Sequence, residues 1–400
     1  MRIEIPREAE RIGSNLFYGL QKVYELDSGV SKNANDELRV VERISYETLY
    51  DIEEQMAVVV PMKDENLKLL EGVLYGIPHQ CLIIIVSNSP REPVDRFALE
   101  CAAIETYQRF SRKHILIVHQ KDPKLSEAFA ETGYSEILSK DGIVKNGKAE
   151  GMIIGTMLAR LAGKKYIGFI DADNYFPGSV HEYVRIYSAG FALSKSKYSM
   201  VRISWHSKPK IVESELFFAK WGRTSVITNS FLNRLLTHYT GFETEVIKTG
   251  NAGEHAMTLD LAMQLEYSTG YSIEPYHFMN MLERFGGISN NPHEEILKQQ
   301  IEVFQIESRN PHLHEQKGTE HVEHMIYAAL QVIFHSPVTP QAIKDAIFVE
   351  MLQRKFVKKN EQPKNASYYP ALSKIDLRKF FDIIKNEGYT ELMKAREAAK

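Results

Sequence analysis

Blocks of apolar and polar residues alternate along the first half of the chain. Apolar runs typical of buried strands are separated by segments in which apolar residues recur with helical spacing. Such alternation predicts a parallel sheet covered by helices on both faces, and therefore an α/β fold. The strand runs are Met56–Pro61, "CLIIIVSNS", "HILIVHQ" and "KYIGFIDAD", and the helical segments are Asn66–Leu74, "RFALECAAIETYQRF" and "KAEGMIIGTMLARLAG".

The pattern changes after Ser199. "YSMVRISWHS" predicts a strand, "TSVITNSFLNRLLTHYTG" a turn leading into a helix, and "EHAMTLDLAMQLEYSTGY" an amphipathic helix that ends at Gly270. From Thr319 onward the chain is predicted to be mostly helical. These patterns divide the chain into a cover segment at 1–50, a sheet domain at 51–240 and a mainly helical C-terminal region at 241–400.

Polar clusters follow three of the predicted strands. They are Lys63–Asn66, Ser87–Ser89 and Asp171–Asp173. Ligands of open α/β sheets bind beyond the carboxyl ends of the strands, so these clusters mark the expected site. The two aspartates suit Mg²⁺ or Mn²⁺, which binds one or two carboxylates together with phosphate oxygens. The alternative is a turn stabilised by aspartate hydrogen bonds, but the preceding apolar strand and the Pro177–Gly178 turn favour a functional motif.

Composition narrows the class of protein further. The formal net charge of −3 argues against general nucleic-acid binding. The two cysteines, Cys81 and Cys101, form no C-x-x-C pair, which disfavours a zinc ribbon and fits a reducing compartment. The sequence shows neither a signal peptide nor an apolar run of about 20 residues. We therefore expect a soluble, cytoplasmic protein without membrane contact.

The order of the motifs resembles the nucleotide-sugar glycosyltransferases of the GT-A fold. Three segments carry a closer resemblance, over nearly the whole chain, to the mannosyl-3-phosphoglycerate synthase family: "GFIDADNYFPGSVHEY", "NAGEHAMTLDLAM" and "WGRTSVIT". Glucosyl-3-phosphoglycerate synthases are more distant relatives. The resemblance implies transfer of mannose from GDP-mannose to the 2-hydroxyl of 3-phosphoglycerate, with retention, in the synthesis of the compatible solute mannosylglycerate. It also implies Mg²⁺ or another divalent cation such as Mn²⁺ or Co²⁺.

The same resemblance assigns a donor site to region 51–240. Lys148 follows Gly147 at a helix start, where backbone N–H groups and a cation form an anion site, and it matches the lysine that contacts the donor diphosphate. Lys145 is the alternative cation. Glu65 would accept hydrogen bonds from the base or ribose, or would only favour a helix start. The donor-binding residues are predicted to be Pro61, Lys63, Glu65, Asn66, Ser87, Asn88, Lys148, Asp171 and Ala172.

The resemblance also assigns an acceptor site, which it places in the segment "WGRTSVIT" and in region 241–400. An arginine recognises carboxylate and phosphate with a bidentate fork, so Arg223 is expected to bind phosphoglycerate unless it forms a surface ion pair. The threonine comes one place earlier than in the relatives, which leaves Thr224 and Ser225 as alternatives. Glu254 would approach the acceptor hydroxyl or would only stabilise a helix start. The predicted acceptor residues are Gly222, Arg223, Thr224 and Asn251.

The resemblance also implies that Asp173 binds the metal together with a C-terminal histidine, either His312 or His314. His321 and His324 are three residues apart on a predicted helix and are expected to be structural. Asp173, Glu254 and Arg223 are the predicted catalytic residues.

Other classes of protein fit the sequence less well. A phosphatase of the haloacid-dehalogenase type would have Thr or Val where Tyr175 stands. A nucleotidyltransferase would begin with a glycine-rich turn, and a membrane polysaccharide synthase would add spans and a Q-x-x-R-W motif. A glucosyl-3-phosphoglycerate synthase, another soluble GT-A enzyme and a non-catalytic nucleotide-sugar-binding protein remain alternatives. The helical tail from Thr319 is a candidate homodimer interface.

Overall fold

Strands and helices alternate along the chain in a computed structural model, which describes residues 1–26, 41–174, 176–212, 215–219, 222–288, 299–313 and 318–385. The strands are β1 (Arg2–Glu4), β2 (Ala9–Ile12), β3 (Asn15–Glu25), β4 (Val41–Arg43), β5 (Met56–Met62), β6 (Leu82–Ser87), β7 (Ile115–His119), β8 (Tyr166–Phe169), β9 (Tyr198–Ser204), β10 (Lys208–Val212), β11 (Glu215–Ala219), β12 (His255–Thr258), β13 (Tyr267–Ser268), β14 (Ile301–Glu307) and β15 (Tyr368–Tyr369). The helices are α1 (Tyr46–Glu54), α2 (Leu67–Gly76), α3 (Arg96–Ser111), α4 (Pro123–Glu131), α5 (Lys148–Leu161), α6 (Pro177–Leu193), α7 (Arg223–Thr240), α8 (Leu259–Gln264), α9 (Ile273–Phe285), α10 (Thr319–His335), α11 (Gln341–Gln353) and α12 (Leu377–Ile384).

One large sheet forms the centre of the molecule. Its strand order is β4-β1-β3-β14-β9-β12-β8-β5-β6-β7, and β2 pairs antiparallel with the first residues of β3. Among the described strands of this sheet, β1, β2 and β12 run against the direction of the others. The predicted α/β architecture, a mostly parallel sheet between helices with a mainly helical C-terminal part, is confirmed.

Both faces of the sheet are buried, as the continuous apolar strands predict. Ala57 and Val59 of β5 pack into a core cluster that contains the apolar residues of α5. Val58 and Val60 point the other way, into a cluster that contains those of α6. Successive side chains of a strand alternate between its faces, so an uninterrupted apolar run is needed wherever helices cover both.

The helix predicted over residues 254–270 is partly wrong. Its first residues form β12, α8 covers only Leu259–Gln264, and β13 follows. β12 pairs antiparallel with both β8 and β9, and all four of its residues are buried. Pairing within a buried sheet satisfies every backbone group there, and this tertiary context outweighs the helical spacing of the apolar residues.

All three predicted regions contribute strands to this sheet. Residues 1–50 provide β1 to β4, and β3 pairs with β14 from the C-terminal region. The N-terminal segment is therefore part of the sheet. The boundaries at residues 50 and 240 stay a prediction.

The strand directions explain how distant segments meet. β5, β6, β8, β9 and β14 all end at the same edge of the sheet, where Asp171, Trp205 and Ser308 begin the loops after β8, β9 and β14. The antiparallel β12 begins at this edge, with His255 opposite Phe169. Loops that are as far apart in the sequence as residues 61 and 313 therefore meet at one edge of the sheet.

Candidate active site

A cavity of about 1210 Å³ opens at this edge of the sheet. Its walls come from the loops after β5, β6, β8, β9 and β14, and from the beginnings of α5, α7 and α9. Most residues predicted from the sequence line it, namely Pro61, Lys63, Glu65, Asn88, Lys148, Asp171, Ala172, Asp173, Gly222, Thr224, Asn251, Glu254 and His312.

Two described residues of the prediction, Asn66 and Ser87, are not among those that line the cavity, and two further predictions fall outside the described side chains. The exposed Asn66 caps α2, where its side chain accepts a hydrogen bond from the Lys68 amide at 2.9 Å. Ser87 is fully buried and donates to Glu100 at 2.6 Å. Arg223 is the first residue of α7, but its side chain lies outside the described part of the structure, as does the whole of His314.

Lys148 is the central cation of the cavity. Its ammonium lies 2.6 Å from Asp171 Oδ1 and 2.8 Å from Glu274 Oε1. Burial alone would lower the pKa of Lys148, but the two ion pairs outweigh burial and hold this pKa well above the usual lysine value. The alternative cation, Lys145, donates instead to the Glu136 carbonyl at 2.7 Å and lies over the Tyr369 ring.

Gly253 packs directly against this ion pair. A Cβ atom at residue 253 would lie 2.8 Å from Asp171 Oδ2 and 3.2 Å from Lys148 Nζ. Any larger residue would push the aspartate or the lysine out of place. The glycine of "NAGEHAM" therefore permits a close approach of the backbone to the two charged groups.

Glu254 is a fully buried carboxylate in the cavity wall. Its Oε1 accepts a hydrogen bond from Asn174 at 2.6 Å and lies 3.8 Å from His312 Nε2. Its Oε2 has no hydrogen-bond partner among the described residues. Burial and the charge of Asp171 raise the pKa of Glu254 to about 7, although Lys148 opposes them. Glu254 can therefore hold or release a proton near neutral pH.

His312 is held by an aromatic stack. Its ring lies parallel to that of Trp205, with centroids 4.3 Å apart and an interplanar angle of 6°. The Lys208 ammonium lies 4.1 Å from the centroid of the Trp205 ring. The His312 backbone N–H donates to the Ser207 carbonyl at 2.8 Å, which joins the loops after β9 and β14. His312 is 7% exposed, so its ring orientation is closely constrained.

The loops after β5 and β6 form another wall of the cavity. The Asn88 backbone N–H donates to the Met62 carbonyl at 2.9 Å, and the Asp64 N–H donates to Ser89 Oγ at 2.6 Å. Gln120 donates to the carbonyl of Lys145 at 2.7 Å and so fixes the segment before α5. These contacts make one rigid wall that carries polar side chains.

Asn251 marks the wall formed by α7 and the loop before β12. It is 4% exposed, and neither its amide nitrogen nor its amide oxygen has a hydrogen-bond partner among the described residues. The α7 helix begins beside it with Gly222 as N-cap, which provides no side-chain hydrogen bond. Its first N–H groups and a buried amide without a partner provide hydrogen-bonding groups for a polar ligand.

Arg202 supports this wall from behind. It is fully buried, donates to the carbonyls of Thr249 at 2.9 and 3.0 Å and of Glu274 at 3.2 Å, and lies over the Phe278 ring. Burial lowers the pKa of Arg202 to about 9, and the charge of Glu274 opposes the shift. The arginine ties the loop that carries Asn251 to the beginning of α9.

Several site residues are absent from the sequence-based prediction. Asn174 directly follows the two aspartates, so its position in the motif is a signal that could have found it. Glu274, Trp205 and Gln120 carry no local signal. Their proximity to the site depends on strand order and on long-range packing.

The residues present fit a divalent cation. Asp173 and His312 are 5% and 7% exposed, and both line the cavity. Among the described residues, no group of three or more acidic, histidine or cysteine side chains could hold a metal ion alone. Mg²⁺ and Mn²⁺ are commonly bound by one or two protein ligands together with substrate phosphates, so this pair suits an ion that the substrate helps to bind.

Comparison with known proteins places the chain among glycosyltransferases. A profile of the family described as mannosyl-3-phosphoglycerate synthase matches residues 5–384. The chain belongs to the mannosyl-3-phosphoglycerate synthase family.

Two curated relatives agree with this assignment. The chain is 44% identical to the mannosyl-3-phosphoglycerate synthase of Pyrococcus furiosus over 393 residues, which cover 98% of this chain and 99% of the relative. It is 38% identical to that of Aeropyrum pernix over 372 residues, which cover 93% and 94% of the two chains.

Among solved structures, the chain is similar to glucosyl-3-phosphoglycerate synthase from Mycobacterium tuberculosis in complex with phosphoglyceric acid. The TM-score is 0.47 and the sequence identity 14%, over 83% of this chain and 96% of the other. None of the helices in the described ranges has the length and apolar character that a membrane span requires.

Proposed function

We propose that this protein transfers mannose from GDP-mannose to the 2-hydroxyl of 3-phosphoglycerate, with retention of the anomeric configuration. The observation that supports the proposal is a single cavity with two walls that carry different chemical groups. One wall has a lysine and acids at the strand ends, and the other has Asn251 and the start of α7. Membership of the mannosyl-3-phosphoglycerate synthase family supports the choice of substrates.

The donor diphosphate would bind where Lys148 meets the N-terminus of α5. Gly147, the N-cap, has no side chain that could occupy the first N–H groups of this helix, although Glu150 in the first turn accepts a hydrogen bond from its own backbone N–H. The guanosine would lie along the wall that carries Glu65 and Asn88. The carboxylate oxygens of Glu65 only accept hydrogen bonds, which suits the N–H groups of guanine or the hydroxyls of ribose.

Asp173 and His312 would hold the divalent cation. When bound, this ion would supply Lewis-acid stabilisation of the charge that develops on the departing diphosphate. The ammonium of Lys148 would stabilise the same charge, and its two ion pairs keep it protonated.

The acceptor would bind at the start of α7. Phosphoglycerate carries a carboxylate and a phosphate, both of which suit helix N–H groups and the guanidinium of Arg223. Thr224 and the amide of Asn251 provide further hydrogen bonds. Binding beside the donor reduces the entropic cost of bringing the two substrates together.

In the reaction, the bond between the anomeric carbon and the diphosphate oxygen breaks, and a bond from the acceptor 2-oxygen forms on the same face of the sugar. The acceptor proton passes to the departing phosphate oxygen, so the products are GDP and mannosyl-3-phosphoglycerate. Glu254 would accept a hydrogen bond from the acceptor hydroxyl and orient it toward the anomeric carbon.

A coupled assay tests the proposal. Purified protein is incubated with GDP-mannose, 3-phosphoglycerate and Mg²⁺, and GDP release and the anomeric NMR signal of the product are measured. We expect GDP release that requires both substrates and stops with EDTA, and a product with the anomeric configuration of the donor. GDP-mannose binding without turnover would contradict an enzymatic function, and faster turnover of UDP-glucose would contradict the assigned donor.

A further inference from the structure

Glu274 is a buried acid that faces the central cation of the cavity. Its side chain is 5% exposed, and its Oε1 lies 2.8 Å from Lys148 Nζ. It begins the helix α9, 126 residues after the lysine. A carboxylate removed from water needs a partner of opposite charge or several hydrogen-bond donors. Here that partner is the same lysine to which the diphosphate site is assigned.

Two carboxylates occupy two of the three hydrogen-bond donors of the Lys148 ammonium. A lysine ammonium has three N–H donors in a tetrahedral arrangement. Asp171 accepts at 2.6 Å and Glu274 at 2.8 Å, which fixes two of the three directions. The Lys148 side chain is 15% exposed and lines the cavity, so its third donor is available to a ligand there.

Glu274 is itself held in place. Arg202, which is fully buried, donates to its backbone carbonyl at 3.2 Å and also to the Thr249 carbonyl at 2.9 Å. The loop after Thr249 carries Gly253, which packs against the Lys148–Asp171 pair. The lysine is therefore enclosed by one helix start, one strand end and one loop, and Arg202 connects the helix start to the loop.

We propose that Glu274 is a positioning residue that directs the third N–H donor of Lys148 toward the donor diphosphate. The inference rests on the proposed function, because it assumes that the diphosphate binds at Lys148. A lysine side chain has four rotatable bonds and adopts many orientations when it has a single partner. With two fixed carboxylates, the ammonium has one orientation before the nucleotide arrives.

Glu274→Gln tests this with little change in volume. The amide keeps a hydrogen-bond acceptor but loses the charge that fixes the ammonium. We expect the Kd for GDP, measured calorimetrically with Mg²⁺, to rise about tenfold, the range found when an outer partner of a ligand-binding group is removed. The KM for GDP-mannose should rise in parallel, and the KM for 3-phosphoglycerate should change less than about twofold.

Glu283→Gln is the matched control. Glu283 lies on the same helix, is also mostly buried, and accepts a hydrogen bond from Ser336 at 2.5 Å, outside the cavity. We expect no change in GDP affinity. A loss of affinity as large as that of Glu274→Gln would overturn the inference, because it would show a general effect of neutralising acids on α9.

A double-mutant cycle separates positioning from a loss of structure. Lys148→Met alone should weaken GDP binding, and Glu274→Gln should then cause no further loss. Equal losses in the wild-type and Lys148→Met backgrounds would overturn the inference while leaving the diphosphate site intact. If Lys148→Met itself left GDP affinity unchanged, the assignment of the diphosphate to Lys148 would fail, and the inference with it. Both results can be interpreted even if each variant has a lower Tm, because the cycle compares GDP affinities of the folded variants.

Discussion

The two walls of the cavity hold their cations in different ways. We call the wall with Lys148 and the acids at the strand ends the donor wall, and the wall with Asn251 and the start of α7 the acceptor wall. On the donor wall, the charge of Lys148 is balanced by the carboxylates of Asp171 and Glu274. Behind the acceptor wall, Arg202 is fully buried, and its guanidinium donates to backbone carbonyls and lies over an aromatic ring. Lys148 lines the cavity, whereas Arg202 holds in place the loop whose residue Asn251 lines it.

This difference separates two tasks. In the proposed function the diphosphate, which carries concentrated charge, would bind to an ammonium that its ion pairs keep protonated. The acceptor must be oriented, and the chain meets it with backbone groups and amides fixed by a buried network. Variants of the donor wall should therefore affect chemistry and nucleotide binding, and variants behind the acceptor wall should affect stability and acceptor binding.

The largest expected effect is on the donor wall. Asp173→Ala should lower kcat by about 10³-fold, because it removes a ligand of the charge-stabilising cation. GDP release with both substrates measures the loss, and circular dichroism confirms folding. Turnover at the wild-type rate, with metal still bound, would contradict the assigned role.

The next effect is on stability. Arg202→Met should lower the free energy of unfolding by about 3 kcal/mol, since it leaves buried carbonyls without a donor. Denaturant unfolding measures this value. Arg160→Met, at a half-exposed residue 3.9 Å from Asp260, is the control and should change stability by less than about 0.5 kcal/mol. Equal stability of the two variants would show that Arg202 does not support the acceptor wall.

Lys148→Met should lower kcat/KM for GDP-mannose by about 10²-fold, because one stabilising charge is removed from the leaving group. The nearby Lys145→Met serves as control, since this ammonium donates to the Glu136 carbonyl at 2.7 Å. We expect the control to stay within about twofold of the wild type. The opposite ranking would exchange the roles of the two lysines.

The smallest effect should be confined to the acceptor. Asn251→Ala should raise the KM for 3-phosphoglycerate about tenfold, the value of one or two lost hydrogen bonds, and leave GDP affinity unchanged. Initial rates at varied acceptor concentration check this. A matching loss of GDP affinity would show that the two walls do not act separately.

The donor wall could be predicted from the sequence because its signals are local. An apolar strand followed by Asp171 and Asp173, and a glycine before Lys148, place polar groups through strand–turn–helix units of a few residues. The remaining contacts of the cavity join segments between residues 205 and 313 that strand pairing brings together. No local pattern shows that Trp205 stacks on His312 or that Glu274 reaches Lys148.

The error at β12 has the same origin. His255–Thr258 has apolar residues with helical spacing, but these residues fill a gap between β8 and β9, which is visible only when the sheet is assembled. Glu254 is brought to the site by this strand, so its burial and its raised pKa were not predictable from "GNAGEHAM" alone.

The proposed chemistry depends most on the divalent cation that Asp173 and His312 would hold against the donor diphosphate. Pulsed electron paramagnetic resonance of Mn²⁺ bound together with GDP tests it most directly, since it detects the phosphorus and nitrogen nuclei next to the ion. We expect couplings to ³¹P and to an imidazole ¹⁴N, with the nitrogen coupling lost in His312→Ala and Mn²⁺ affinity reduced in Asp173→Ala. Bound Mn²⁺ without a ³¹P coupling, or with a nitrogen coupling that survives His312→Ala, would contradict it.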